Sequence, residues 1–285
     1  MQHAANYSAH VPTYMDKLPC AKHAWPDVVD IIKSARQSLQ SMSKSHDFVE
    51  LELRWGRREH GFKPGVSKEA FDALETRFDT GRDWAKKTQW HNISVFFHTS
   101  NLPGDHRKLR TEITFFPEDH PETKRVECTY KETVCNHDYR TVALASTNPS
   151  AADLRIALNI EHAIPESDIP EICEPTLVHL KTRKIYYYAP TGYEQPVWCY
   201  VLTKRWVGRT LLDAKRAQAT EPPVYEIELE CLNPEYLSAF DPGQVAAKLL
   251  FKACDVLEII RPMDRSDFVI EPIKNSMLWS RNKCV

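Results

Sequence analysis

Glycine is scarce, with 8 residues in 285, and none of them falls in a GxxxxGK[ST] or GxGxxG pattern. A glycine-rich backbone loop cradling a nucleotide is therefore excluded. The eight cysteines (Cys20, Cys128, Cys135, Cys173, Cys199, Cys231, Cys254 and Cys284) form no CxxC pair, which argues against a zinc knuckle. In a reducing compartment they are expected as free thiols, mostly buried. No run approaches the roughly 20 apolar residues that span a bilayer, and the first residues lack a basic-then-apolar signal. The chain is expected to be intracellular, away from membranes. The twelve histidines form no HExxH. Excess positive charge is missing too. The net charge is −2, so any anion site must be built locally, not by a broad basic face.

What remains is ordinary globular composition, 42% hydrophobic and 27% charged. The length suits one large domain or two small ones. Residues 1–24 read as an irregular arm. Pro26 opens a helix whose Val28, Val29, Ile32, Ala35, Leu39 and Met42 recur at helical spacing. Residues 48–55 alternate as a strand, Gly61, Pro64 and Gly65 mark a loop, and Ser67 caps a second helix bearing Phe71, Leu74 and Phe78. Strand then follows strand: 88–99, 108–116, 125–134, 139–146, 153–161, 176–188, 197–207 and 224–232, separated by turn residues. A helix over 242–260 carries Val245, Leu249, Ala253, Val256 and Ile260 on one stripe. Residues 25–262 are expected to form the main domain, and 263–285 a tail or linker of loop character. There is no internal repeat.

Two strands carry the chemistry. In the first, Glu50, Glu52 and Arg54 share one face, with Val49, Leu51, Leu53 and Trp55 opposite. In the second, Glu226, Glu228 and Glu230 share a face, with Tyr225, Ile227, Leu229 and Cys231 opposite. Side chains two apart on a strand lie about 6.5–7 Å from each other on the same side. One such strand is an ordinary amphipathic strand with a solvated face. Two columns of mutually repelling carboxylates, in residues disfavoured in strands, need a reason. A hard divalent cation, Mg²⁺ or Mn²⁺, supplies one.

The strands between them carry Arg110, Lys131, Arg155, Lys181, Arg183 and Lys204. Any one of these alone reads as a surface side chain. Together they describe an α+β fold built on a closed antiparallel eight-stranded β-barrel turned inside out, polar inward, with flanking α-helices. Such a lumen holds a small ligand. Acidic groups on one side and cations around the rest suit a metal-bound polyphosphate.

The paired ExExR and ExExE strands, in this order, resemble the triphosphate tunnel metalloenzymes. Within that family they resemble the fungal-type and large-DNA-virus RNA 5′-triphosphatases of mRNA capping, most closely the modules of viral capping enzymes. FVELELRWGRR is similar to the family's first glutamate strand and VYEIELECL to its last. DLRIALNIEHAIP resembles the strand with an inward base, Arg155, and a glutamate, Glu161. VHLKTRKIYYY resembles an R-x-K-x-R column, and WCYVLTKRW a W-x-[IV]-[DE]-L-T strand. The resemblance spans about residues 45–260. Three departures stand out. The column reads His179, Lys181, Arg183; Val201 stands where the acid is expected; and Arg54 replaces the lysine usual in the small-molecule branch.

The resemblance implies that Glu50, Glu52 and Glu230 ligate Mg²⁺ or Mn²⁺. It implies that Glu161, Glu226 and Glu228 hold water or orient the nucleophile, and that Arg155, Lys181 and Arg183 act on the phosphates. Arg54, Arg110, Lys131, His179, Thr203 and Lys204 would complete the phosphate cage. The implied substrates are the 5′-triphosphate end of RNA and free NTP, and the implied partner is a guanylyltransferase subunit or fused module. No KxDG nucleotidyl-transfer motif occurs in this chain. Two alternatives stay open: hydrolysis of inorganic tripolyphosphate or thiamine triphosphate, and an idle subunit that only holds triphosphates. Val201 and His179 leave room for the latter, and the intact glutamate columns argue against it.

Overall fold

A computed structural model describes residues 16–42, 47–99, 107–116, 123–144, 152–165, 175–261 and 264–273. Among the described residues, ten strands run in chain order: β1 Asp47–Arg58, β2 Phe62–Pro64, β3 Lys86–Thr99, β4 Arg107–Phe115, β5 Lys124–Ala143, β6 Asp153–Ala163, β7 Leu177–Tyr188, β8 Trp198–Gly208, β9 Val224–Cys231 and β10 Phe268–Pro272. The ladder passes from β5 through β4, β3, β7, β8 and β9 to β1, and β6 pairs with both β1 and β5. That last pairing closes an eight-stranded barrel in which every pairing is antiparallel. Closure leaves the eight strands without a free edge.

Alternation along the strands decides which face is dry. Val49, Leu51, Leu53 and Trp55 of β1, Ile227 and Leu229 of β9, and Trp198, Tyr200 and Leu202 of β8 are buried in one cluster with the helices. The core therefore lies outside the barrel, between sheet and helices. Helix Trp25–Ser41 contributes Val28, Ile31, Ile32 and Ala35, and helix Pro242–Ile260 contributes Val245, Leu249, Leu250, Ala253 and Val256. Each fully buried large apolar side chain of this kind stabilises the fold by about 1.5–3 kcal/mol. The caps match their sequence signals. Ser67 Oγ accepts from Ala70 N at 3.2 Å to start helix Lys68–Thr80, and Asp241 accepts from the amides of Gly243 and Gln244.

The structure departs from the sequence reading at several points. The segment 125–134 and the described strand residues of 139–146, up to Ala143, belong to one long strand, β5, whose register shifts between Thr133 and Cys135. A bulge bends it, which lets one strand pair with β4, β6 and β10. Helices Leu211–Thr220 and Pro234–Ala239 were not anticipated. The expected loop at 61–65 contains β2, which folds back on β1. A Cβ on Gly56 would lie 2.2 Å from the carbonyl oxygen of Lys63, so this close return requires glycine.

Both flanking segments also join the body. In the expected arm, Leu18, Cys20 and Ala21 are buried in the core, and in the expected tail β10 pairs with β5. Residues 1–15 and 274–285 lie outside the described residues. Cys20, Cys128, Cys199, Cys231 and Cys254 are buried free thiols, and Cys135 is half-buried. Cys173 and Cys284 lie outside the described residues. Among the described residues no helix is long and apolar enough to cross a membrane.

Candidate active site in the barrel lumen

Once β1 turns its apolar residues to the helices, Glu50, Glu52 and Arg54 must point into the lumen. The same logic turns Glu226, Glu228 and Glu230 inward from β9. Register then sets neighbours: Glu52 lies opposite Glu230, and Arg54 opposite Glu228. On the other flank Glu50 lies opposite Asn159 of β6. The facing wall is formed by Arg110 and Glu112 of β4, Thr129 and Lys131 of β5, and His179, Lys181 and Arg183 of β7.

These groups form a continuous network. Arg54 bridges the two glutamate strands, with Nη2 2.7 Å from Glu52 Oε2 and Nε 2.9 Å from Glu228 Oε1. The Lys131 ammonium contacts Glu50 and lies 3.4 Å from Glu161 and 3.8 Å from Glu52. Asn159 Nδ2 donates to Glu50 at 3.0 Å and to Glu52 at 3.2 Å. Arg110 donates to Glu161 at 3.0 Å. Arg205 of β8 donates twice to one oxygen of Glu226, at 2.8 and 3.0 Å.

Glu112 is the hub of the cationic wall. It accepts from Arg183 at 2.8 Å, Lys181 at 3.2 Å, Ser94 at 2.6 Å and Asn92 at 3.1 Å. Burial alone would raise its carboxyl, but Arg183, Lys181 and Arg110 hold it well below the usual range. Glu228 is likewise buried, yet Arg54, Arg183 and Lys181 keep it ionised, with its pKa lowered. Glu230 is the contrast. Burial, then Glu228 and Glu50, push its carboxyl up to about 8. Among the described residues it has no cationic partner, and its side chain meets only the Cys199 thiol, at 3.8 Å. Glu50 is also raised, by burial and then by Glu52. Lys181 falls to about 8, through burial and then Arg183.

A cavity of about 370 Å³ opens within this frame. Of the expected site residues, it is lined by Arg54, Arg110, Lys131, His179, Lys181, Arg183, Thr203, Glu226 and Glu228. Glu50, Glu52, Glu161 and Glu230 face the same lumen outside that lining, with Arg54 and Lys131 between the cavity and three of them. Thr203 is buried, and among the described residues its hydroxyl has no hydrogen-bond partner. It is therefore available to a bound anion.

Two expected residues are placed elsewhere. Arg155 is absent from the cavity lining. Its guanidinium is clamped by Asp138 at 2.7 and 3.0 Å and stacks on Phe62, 4.7 Å from the ring centre. Lys204 points out of the barrel toward Glu75 at 3.6 Å and over Phe71, because its neighbour Thr203 takes the inward position. Sequence reasoning missed Glu112, Asn92, Ser94 and Arg205. The alternation in 108–116 puts Glu112 on the same face as Arg110, and that was the available signal.

Glu50, Glu52 and Glu230 are hard oxygen donors of the kind Mg²⁺ and Mn²⁺ take. They share one wall, and among the described residues Glu230, half-buried, has no salt bridge. Among the described residues, no three carboxylate, imidazole or thiol groups are gathered tightly enough to form a finished cage. Glu50 and Glu52 instead face Lys131, Asn159 and Arg54. As hard oxygen donors the three carboxylates match the ion in chemistry, but as placed they do not close on one point.

No family model and no curated protein matches the sequence. Solved structures match in fold. The S. pombe Pct1 RNA triphosphatase aligns at 16% identity over 82% of this chain and 93% of its own, with a TM-score of 0.52. The same enzyme in complex with the Spt5 CTD gives 18% identity, 82% and 94% coverage, and a TM-score of 0.53. The RNA triphosphatase domain of a trifunctional mimivirus mRNA capping enzyme aligns at 14% identity, over 83% and 96%, with a TM-score of 0.48. The likeness to the S. pombe structures is one of fold: the chain shares the closed barrel with flanking helices.

Proposed function

We propose that this protein is an RNA 5′-triphosphatase, a phosphoric anhydride hydrolase that removes the γ-phosphate from triphosphate-ended RNA at the first step of mRNA cap formation. One observation carries the reading. A half-open cavity is lined both by Arg110, Lys131, Lys181 and Arg183 and by Glu226 and Glu228. Cations at fixed positions match the oxygens of a polyphosphate. Carboxylates across from them match a water nucleophile.

Each residue then has a defined task. Lys181 and Arg183, held in place by Glu112, bind phosphate oxygens and oppose the charge that develops during P–O cleavage. Arg110 and Lys131 extend the cage along β4 and β5, and Thr203 donates its otherwise unused hydroxyl. Glu228 is kept anionic by Arg54 and Arg183, so it accepts a hydrogen bond from water and orients it in line with the scissile bond. Glu226, braced by Arg205, supports the same water. Glu50, Glu52 and Glu230 would hold Mg²⁺ or Mn²⁺, which when bound supplies neutralising charge at a phosphoryl oxygen. Because the wall recognises phosphate oxygens, free NTP is a second substrate. A guanylyltransferase, separate or fused, would consume the diphosphate end, and the setting is intracellular.

The test is release of γ-phosphate from γ-labelled triphosphate-ended RNA with Mg²⁺, Mn²⁺ or EDTA, for wild type and Glu52→Ala. Cation-dependent release that disappears in the variant supports the proposal. Hydrolysis of tripolyphosphate or thiamine triphosphate without hydrolysis of RNA would move the function to small molecules. No hydrolysis at all would leave a binding subunit.

A further inference from the structure

Three carboxylates converge on one ammonium. Lys131 contacts Glu50 and lies 3.4 Å from Glu161 and 3.8 Å from Glu52, while Asn159 ties Glu50 to Glu52 from the side. The lysine thus occupies the position that a cation bound by β1 would share. It also lines the cavity beside Arg110, Lys181 and Arg183. Its side chain keeps 28% of its exposure and hangs on a flexible four-carbon stem. Arg54 differs, being fixed between two carboxylates on two strands.

We propose that Lys131 is an exchangeable counter-ion, seated on Glu50, Glu52 and Glu161 until a divalent cation enters and then released into the cavity to bind phosphate. This rests on the metal reading above. A divalent ion on Glu50 and Glu52 repels an ammonium in the same place, and the nearest vacant anion position is the phosphate cage. The exchange makes two binding events reinforce each other. Without the cation Lys131 lines the cavity with its charge taken up by the three carboxylates. With it, the cage gains Lys131 at the moment the carboxylates are neutralised. Linkage requires the effect to be mutual, so bound polyphosphate must also tighten cation binding.

Calorimetric titration of Mn²⁺ alone into the full chain tests this without reference to turnover, using wild type, Lys131→Met and Lys131→Arg. Lys131→Met removes the competitor, so it should bind Mn²⁺ about tenfold tighter than wild type, whereas Lys131→Arg should not. A second titration uses an imido analogue of ATP with and without Mn²⁺. Wild type should gain affinity for the analogue on adding Mn²⁺, and Lys131→Met should lose most of that gain. Unchanged or weaker Mn²⁺ binding by a folded Lys131→Met protein overturns the exchange while leaving the hydrolase reading in place. If Lys131→Met does not fold, tighter Mn²⁺ binding by Lys131→Arg than by wild type overturns it. Absence of Mn²⁺ binding in every protein overturns the metal reading and this inference together.

Discussion

Glu52 and Glu230 stand directly opposite each other across the β1–β9 ladder, both inside the lumen. Like charges at facing positions destabilise a sheet, and here burial sharpens the conflict. Glu52 is paired with Arg54 and lies near Lys131, whereas among the described residues Glu230 has no salt bridge. Glu230 answers by holding its proton, with its carboxyl pushed up to about 8.

Stability of the metal-free protein should therefore fall as pH rises through this range. A group whose folded pKa is raised stabilises fully below its unfolded value, and that contribution is lost as pH climbs through the folded value. For Glu230 the window runs from about 4.5 to about 8. Glu50, also raised, adds in the same direction. Glu112 and Glu228 are lowered, so their contribution is lost only on going acid of the ordinary carboxylate range. Urea midpoints at pH 5.5 and 8 should differ for wild type, with the more acidic sample more stable, and the difference should shrink in Glu230→Gln.

At pH 8, Glu230→Gln should raise the melting temperature by about 2–4 °C, the effect of about 1 kcal/mol in a chain of this class, and should abolish hydrolysis. Thermal melts and phosphate release on the same preparation check both. A variant equally stable and fully active would remove Glu230 from the site.

Saturating Mn²⁺ should stabilise wild type by about 2.7 kcal/mol at a hundred times the dissociation constant. The same addition should leave a Glu50→Ala, Glu52→Ala double variant where it was. Melting temperature against Mn²⁺ concentration reads this directly.

Two arginine–carboxylate pairs, Arg183–Glu112 and Arg155–Asp138, should separate by role. Arg183→Ala removes a cage residue and should lower kcat/KM about 100-fold or more, in line with loss of a charged transition-state contact. Arg155→Ala breaks the clamp with Asp138 at a distance from the cavity. Because the buried Asp138 loses its partner, the substitution should cost about 1–3 kcal/mol of stability, and leave kcat/KM within a few-fold. Equal losses of activity would place Arg155 in the cage after all.

Glu112→Gln should keep the contacts with Ser94 and Asn92 but free Lys181 and Arg183 from their counter-charge. A double-mutant cycle of Glu112→Gln with Arg183→Met should show coupling of about 1 kcal/mol or more, since the pair is buried and 2.8 Å apart. Additive effects would mean that the carboxylate does not organise this wall.

The barrel and its orientation were legible because alternation is a period-two signal and both glutamate strands obey it. Lys181 and Arg183 reach the lumen for the same reason. Lys204 was misplaced by one position, which on a strand is a change of face. Arg155 does face inward, but Asp138 captures it, and a partner brought by β5 from 17 residues away is not a feature of local pattern. Glu112 escaped notice because its importance is spatial: it meets β7 residues about 70 positions later. The column on β7 finds its acid on β4, and Val201 packs instead with Ile185 and Cys199. The long β5 read as two strands because a bulge interrupts alternation. Helix Leu211–Thr220 was overlooked although Thr210 and Asp213 form a capping box.

The main apolar core lies between the barrel and its helices, and only a small cluster of Ile185, Cys199 and Val201 lies inside the ring. Residues that keep the chain folded and residues that meet a ligand therefore alternate along the same strands yet answer to different selective pressures. A substitution at an inward position changes what the lumen accepts while the outward neighbours go on holding the helices. Such a scaffold can drift from one phosphorylated substrate to another through a series of viable intermediates, and a library randomised at lumen positions alone should return mostly folded proteins.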